Sequence, residues 1–302
     1  MATTTSKESA LKLVQKDTVD IVAERVRVFQ EKGELHFPEG YSPENAMKAA
    51  WLVIQEAVDR NGKPAFEVCT RNSIANALLN MVVQGLNPIK KQCYFIVYGD
   101  QLQLQRSYFG SMHMAKTMDP NIDDIVAEVV YKGDTLRVKK ERGRTIIDEH
   151  AQSIENIDKA QIIGAYCSIF YADGTERTTL MTFDEIKTSW KQSKMTPVLE
   201  NGNIKGGTTH EKFTAEMCKK TVINRACKTI INSSNDSSLI LKAYRETEAD
   251  IAEAEAAEEI AENANKTQII IDTVTGEATE YASEPEPSIP AAPAAFDEGD
   301  LP

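Results

Sequence analysis

The sequence predicts an α+β protein with a helical N-terminal lobe, central antiparallel hairpins packed with long basic helices, and an acidic C-terminal tail that is helical and then disordered. Three observations support this class. Apolar residues recur at helical spacing up to residue 83, strand-forming runs flank short turns from residue 93 to 182, and helical spacing returns from residue 183. This order of elements does not fit the alternating βαβ units of a nucleotide-binding sheet.

The N-terminal lobe is predicted to be helical after a polar segment, residues 1–15, that we expect to be disordered. Apolar residues at helical spacing predict helices over residues 17–32, 43–58 and 70–83. The second helix has the best-defined start, because Ser42 is a favourable N-cap and the proline after it fits the first helical position.

The central part of the chain is predicted to form three hairpins, because runs rich in β-branched and aromatic residues are joined by turns that contain Gly and Asp. Alternation along the second strand places Arg106 on the same face as Leu102 and Leu104. The predicted strand pairs are residues 93–98 with 101–106, 125–131 with 135–140, and 162–171 with 176–182.

Basic helices and an acidic tail complete the chain. We predict helices over residues 107–116, 183–193 and 210–232, then an acidic helix with little apolar face over 239–262, a β-prone run at 268–272 and disorder from 284. The predicted regions are thus a disordered N-terminus (1–15), a body (16–235) and a tail (236–302).

The charge is divided unevenly between the body and the tail. The formal net charge is −12, but residues 246–302 contain 16 acidic residues and one basic residue. Residues 1–245 therefore hold 33 basic and 30 acidic residues, so the low pI describes the tail and the body is weakly basic. Positive charge is concentrated further between residues 187 and 228, which hold nine basic residues and three acidic ones.

Missing motifs exclude several functional classes. The sequence has no GxxxxGK[ST] phosphate loop, no HExxH pair and no spacing of Cys and His typical of zinc sites. The five cysteines form no CxxC pair and are predicted to be reduced thiols in the core. We expect neither a signal peptide nor a membrane span. One enzymatic alternative stays open, a metal-dependent nuclease that uses Asp173 and Glu185.

Single-stranded nucleic acid is the ligand that residues 84–116 favour, because aromatic residues that can stack on bases stand there among four basic residues and one acidic residue. On the last basic helix, positions 220, 225 and 228 fall within about 140° of one another. Trp190 stands between basic residues of the preceding helix, and stacking on a base or packing in the core are equally good interpretations. A third alternative is an assembly protein whose basic surface meets an acidic partner.

Several separated blocks are similar to the RecT family of phage single-strand annealing proteins, and they occur in family order over residues 46–234. The blocks are QGLNP at 84–88, YFIVYG at 94–99, YFGSM at 108–112, VVYKGD at 129–134, SWKQS at 189–193, TH at 209–210 and MCKKTVINR at 217–225.

The resemblance implies ATP-independent binding of single-stranded DNA and annealing of complementary strands in phage homologous recombination, by a homo-oligomer that is a ring or a helical filament. It implies no catalytic site and no cofactor, with Mg²⁺ as a candidate modulator of DNA binding. The expected partners are single-stranded DNA, the annealed duplex intermediate, a phage exonuclease and the host single-strand DNA-binding protein, with no membrane. The expected location is the cytoplasm of the phage's bacterial host.

Annealing requires a protein to hold a strand by its phosphates and to leave the base edges free. We therefore predict that the body, as the annealing and oligomerisation domain, has a groove lined by basic side chains, with Tyr108 or Trp190 stacking on bases. The predicted DNA-binding residues are Lys90, Lys91, Arg106, Tyr108, Lys116, Trp190, Lys191, Lys194, Lys219, Lys220, Arg225 and Lys228. Three roles are open for the acidic tail: it docks on partner proteins, it covers the basic groove until DNA displaces it, or it only aids solubility.

Overall fold

The helical N-terminal lobe forms as the sequence predicts. The structure is a computed structural model that describes residues 2–192, 197–234, 238–252, 268–271 and 278–281. The helices of the lobe are α1 (Ala2–Glu31), α2 (Pro43–Glu56), α3 (Ala65–Val68) and α4 (Arg71–Val83). Hydroxyl caps start two of them: Ser42 Oγ accepts from the Asn45 N–H at 3.2 Å, and Thr70 Oγ1 accepts from the Ser73 N–H at 3.2 Å. Helix α1 begins within the segment that we expected to be disordered.

The body continues with antiparallel strands and further helices. In chain order these are β1 (Cys93–Tyr98), β2 (Gln101–Arg106), α5 (Tyr108–Met118), β3 (Ile122–Tyr131), β4 (Thr135–Glu141), β5 (Arg144–Ala151), β6 (Ile162–Tyr171), β7 (Glu176–Thr182), α6 (Phe183–Lys191), α7 (Thr209–Lys212), α8 (Thr214–Ser233) and α9 (Ser238–Ala252). Strands β1 and β2 form a separate hairpin, and the next five strands form one sheet in the order β3-β6-β7-β5-β4. The α+β class is confirmed.

The predicted middle hairpin is wrong in its pairing, although both of its strands exist. Strands β3 and β4 lie at opposite edges of the sheet, and β3 pairs with β6. The buried carboxylate of Asp134 accepts hydrogen bonds from the Tyr131 N–H and from the side chains of Gln152 and Asn156. These bonds turn the chain away from β3. Strand β3 instead pairs along its length with β6, which is also ten residues long.

Helix α8 is the centre of the body. It lies on strands β3, β6 and β7 and packs between α5 and α6. Its apolar residues belong to one core cluster with the inner face of the sheet, where Val129, Ala165 and Met181 are buried. The five cysteines are buried free thiols, as predicted. Burial raises the pKa of Cys167 and the two cysteines of α8 to about 12.

Helix α9 packs against the body through an apolar face. Ile240, Ala243, Tyr244 and Thr247 are buried, and the helix contacts α4 and β2. The expectation of little apolar face is therefore wrong for α9, and the compact unit that contains it extends to Asn265.

Residues 266–302 form a second unit, which contains a hairpin of β8 (Gln268–Ile271) and β9 (Ala278–Tyr281). The β-prone run predicted at 268–272 is thus confirmed as a strand over Gln268–Ile271. The predicted continuation of the acidic helix beyond residue 252 and the predicted disorder from residue 284 lie outside the described residues.

Candidate nucleic-acid interface

The start of α5 is held against the turn that carries Lys90 and Lys91. The Ser107 hydroxyl accepts a hydrogen bond from the Gly110 N–H at 3.2 Å and donates one to the Lys91 carbonyl at 2.6 Å. A Cβ built on Gly110 would lie 2.2 Å from the Gln92 carbonyl oxygen, so only glycine allows this contact. Lys90 and Lys91 remain exposed beside the helix start.

Lys219 of α8 lies near Tyr108, at the start of α5. The half-buried Tyr108 ring packs on the Phe109 ring, with the centroids 4.1 Å apart. Burial raises the pKa of Tyr108, the Glu216 carboxylate raises it further, and the Lys219 ammonium lowers it, so both charges of α8 lie near the phenol. Lys219 Nζ also lies 2.9 Å from Glu128 Oε2 on β3.

Lys116 is half-buried about two turns further along α5, where its ammonium donates to the Asp123 carbonyl at 2.7 Å. Between Lys116 and the helix start, burial lowers the pKa of His113, and the nearby Lys90 ammonium acts in the same direction. Predicted residues from separate parts of the sequence therefore border one helix. We call this set the α5 cluster: Lys90, Lys91, Tyr108, Lys116 and Lys219.

Trp190 is buried between α6, α7 and α8. It is only 4% exposed, its Nε1 donates to Thr221 Oγ1 at 2.8 Å, and its ring centroid lies 4.7 Å from that of His210. Of the two interpretations that the sequence left open, packing in the core describes this position. The adjacent Lys191 is exposed, whereas Lys194 lies outside the described residues.

Lys220 is next to Lys219 in α8, and its ammonium lies near His210 of α7. Its side chain is half-buried, and burial lowers its pKa. Burial, together with the Lys220 ammonium, lowers the pKa of His210 to about 4. Arg225 and Lys228 are exposed on later turns of α8.

Arg106 is buried, and its guanidinium joins α9 to the body. It donates to Gln84 Oε1 at 3.0 Å, to Thr247 Oγ1 at 2.7 Å and to Ser111 Oγ at 3.3 Å. The guanidinium carbon lies 4.0 Å from the centroid of the Tyr244 ring. Arg106 is 5% exposed, so the predicted phosphate contact would require its side chain to leave the interior.

The two carboxylates of the nuclease alternative lie at opposite ends of β7. Asp173 accepts hydrogen bonds from Thr175 in the turn before the strand, and Glu185 caps the helix after it by accepting from the Thr182 N–H at 2.8 Å. Seven strand residues separate them by roughly 20 Å. Carboxylates that share a metal ion bind it at ~2–2.6 Å, so this pair does not fit one metal site.

The residues around α5 and α8 fall within a single family match. The family model described as RecT family matches residues 44–264. The chain belongs to the RecT family. No curated protein sequence matches it. Membership of the RecT family implies binding of single-stranded DNA and strand annealing in phage recombination.

Two further properties of this RecT-family chain concern metals and membranes. Within residues 2–192, 197–234 and 238–252, no group of three or more His, Cys, Asp and Glu side chains could hold a metal ion. The helices of these same ranges are also too short or too polar to cross a bilayer.

Two exposed aromatic residues of this RecT-family chain are not among the predicted DNA-binding residues. Phe109 is 43% exposed and Phe213 is 60% exposed. Phe109 belongs to the Tyr-Phe-Gly run at the start of α5, of which only Tyr108 was predicted to contact DNA. Phe213 was placed inside one continuous helix, and no glycine or proline signals the break that the structure has there.

Proposed function

We propose that the protein binds single-stranded DNA without ATP and anneals complementary strands during phage homologous recombination, as an oligomeric ring or helical filament. The α5 cluster carries this proposal, because lysines from distant parts of the sequence border one helix that begins with aromatic rings. A polyanion with stackable bases suits that combination. Membership of the RecT family supports the same activity.

In this proposal, phosphate contacts come from exposed and half-buried cations. Lysine and arginine contact phosphates irrespective of base sequence, so the strand is held while its base edges stay available for pairing. The proposed phosphate contacts are Lys90, Lys91, Lys116, Lys191, Lys219, Lys220, Arg225 and Lys228. Arg106 and Trp190 are assigned to packing instead, Tyr108 keeps its proposed role in stacking, and Lys194 stays a prediction.

The proposal needs no cofactor and gives Mg²⁺ only the role of modulating DNA binding, because cations compete with the protein for phosphates. Its partners are a phage exonuclease that exposes the strand and the host single-strand DNA-binding protein, in the cytoplasm of the phage's bacterial host. The acidic segment of residues 246–302 is a candidate docking region for these proteins.

The salt dependence of DNA affinity tests the proposal. Replacing Lys90 and Lys91 together with Ala should weaken binding to every oligonucleotide sequence. It should also reduce the slope of log K against log salt by up to about 1.4, since each phosphate contact on a single strand contributes ~0.7. The matched control replaces Lys32 and Lys63, which are exposed lysines of the N-terminal lobe.

Annealing is measured by mixing two labelled complementary oligonucleotides with the protein in the absence of ATP. Duplex formation faster than the spontaneous rate is the expected result. The proposal is contradicted if the wild type fails to bind single strands at ~50 mM salt, where phosphate contacts are strongest. Shortening of the labelled strands in Mg²⁺ would favour the nuclease alternative.

A further inference from the structure

Phe109 is held outward by the way α5 starts. The Ser107 cap fixes the first turn of the helix, and the close contact of Gly110 with the Gln92 carbonyl prevents that turn from rotating. Tyr108 occupies the inner side of the ring pair, and Phe109 lies on the outer side with 43% of its surface exposed.

Phe213 is exposed for a similar reason at the start of α8. Its backbone, at φ −124° and ψ 48°, is not helical, and it ends α7 and begins α8. The Phe213 N–H donates to the Thr209 carbonyl at 2.9 Å, and the Phe213 carbonyl accepts from the Met217 N–H at 3.0 Å. Its side chain supplies no oxygen for the free N–H groups of α8 and is 60% exposed, so it stabilises neither the helix start nor the core.

The charges near these rings indicate what covers them. Phe213 directly follows the exposed Lys212, and it stands one helical turn before Glu216, whose carboxylate lies near Tyr108 together with the Lys219 ammonium. Phe109 adjoins Tyr108 and the turn of Lys90 and Lys91. An apolar protein surface would gain little from these ammonium groups, whereas a nucleic-acid strand presents phosphates to lysines and flat bases to rings.

We propose that Phe109 and Phe213 stack on bases of the bound single strand. The inference rests on the proposed function and adds to it the residues that contact the bases. Stacking on a ring depends little on base identity, because every base has a π-face, so it holds the strand without reading its sequence. The buried indole of Trp190 does not have this access.

Substitutions that separate ring shape from apolar character test the proposal. Phe109→Ala, Phe213→Ala and the corresponding Leu variants should each weaken binding of a fluorescent oligothymidine between fivefold and about a hundredfold, while Phe→Tyr at either site stays near the wild type. The salt slope should stay unchanged, because no phosphate contact is lost. Ile154→Ala is the matched control, since Ile154 is 86% exposed in the segment after β5.

A second measurement does not depend on variants. An oligonucleotide that contains 2-aminopurine should change its fluorescence on binding the wild type, and Phe213→Leu should reduce that change. Leu variants that bind as tightly as the wild type would overturn the proposal. Ala variants that lose subunits in the absence of DNA would also overturn it, because the rings would then contact a second copy of the chain. Absence of any binding by the wild type would instead refute the proposed function itself.

Discussion

Replacing Arg106 distinguishes a structural role from a DNA contact, because the two roles predict opposite results for one variant. In Arg106→Lys the positive charge remains, so a phosphate contact would largely survive. The planar fork of the guanidinium is lost, however, and one ammonium cannot reach the Gln84, Ser111 and Thr247 oxygens together while lying over the Tyr244 ring. We therefore expect Arg106→Lys and Arg106→Met to be destabilised.

The magnitude follows from the contacts of the guanidinium. Each hydrogen bond from a charged donor contributes ~1.5–3 kcal/mol, and a desolvated cation–π contact contributes ~2 kcal/mol. These contributions do not add, because removing the charge also removes the cost of burying it. A net loss of ~3–5 kcal/mol for Arg106→Met is the reasonable expectation, and at ~2–4 °C per kcal/mol it lowers the melting temperature by on the order of 10 °C.

Thermal unfolding and hydrogen exchange measure this effect together. Exchange of the α9 amides should increase more than exchange in the sheet, because Arg106 joins α9 to β2 through Thr247. Lys90→Ala is the control, since it should weaken DNA binding without lowering the melting temperature. An Arg106→Met variant with unchanged stability, unchanged exchange in α9 and a salt slope reduced by ~0.7 would refute the reasoning.

Three further predictions use single side chains. Burial lowers the pKa of Lys220, so raising the pH from about 7 to about 10 should weaken DNA binding by the wild type more than by Lys220→Arg, which stays charged; equal losses would argue against a phosphate contact. The pKa of His210 is lowered to about 4 in the folded protein, so between pH 6.5 and 4 the unfolded chain binds a proton at this histidine that the folded chain does not. The melting temperature should therefore fall as the pH decreases across that window, and it should fall less in His210→Gln. Glu185→Ala should cost about 1 kcal/mol of unfolding free energy by removing the reciprocal cap with Thr182, measured by urea unfolding. DNA affinity should not fall, because the lost carboxylate lies near Arg225 and would only have repelled phosphates.

Local patterns in the sequence predicted most elements but not their partners. Capping residues and strand alternation located α2, α4, β1, β2 and α6 within a few residues. The pairing of β3 was not predictable in this way, because it depends on the side chain of Asp134 and on β6, which lies thirty residues later. Strand β5 escaped prediction because its apolar residues do not alternate with polar ones.

The burial of Arg106 could be predicted from the sequence, although its positive charge suggested a contact with DNA. Alternation placed it with Leu102 and Leu104, and both leucines are buried. The pattern did not show what would satisfy a buried guanidinium, since Thr247 is more than a hundred residues away. The alternation of the strand therefore predicted the burial of Arg106 better than the charge of its side chain did.

Helix α8 shows why the interface could be predicted only in part. Its packing on the sheet, α5 and α6 leaves few positions to solvent, and the exposed Arg225 and Lys228 share these with Glu216, Thr229, Asn232 and Ser233. Lys219 pairs with Glu128 and Lys220 lies near His210, and both lysines are half-buried, so replacing either changes local packing and charge as well as any phosphate contact. A loss of affinity in those variants is ambiguous for that reason. The side chains of Lys90 and Lys91 are exposed, so replacing them disturbs packing less and gives a cleaner measure of phosphate binding.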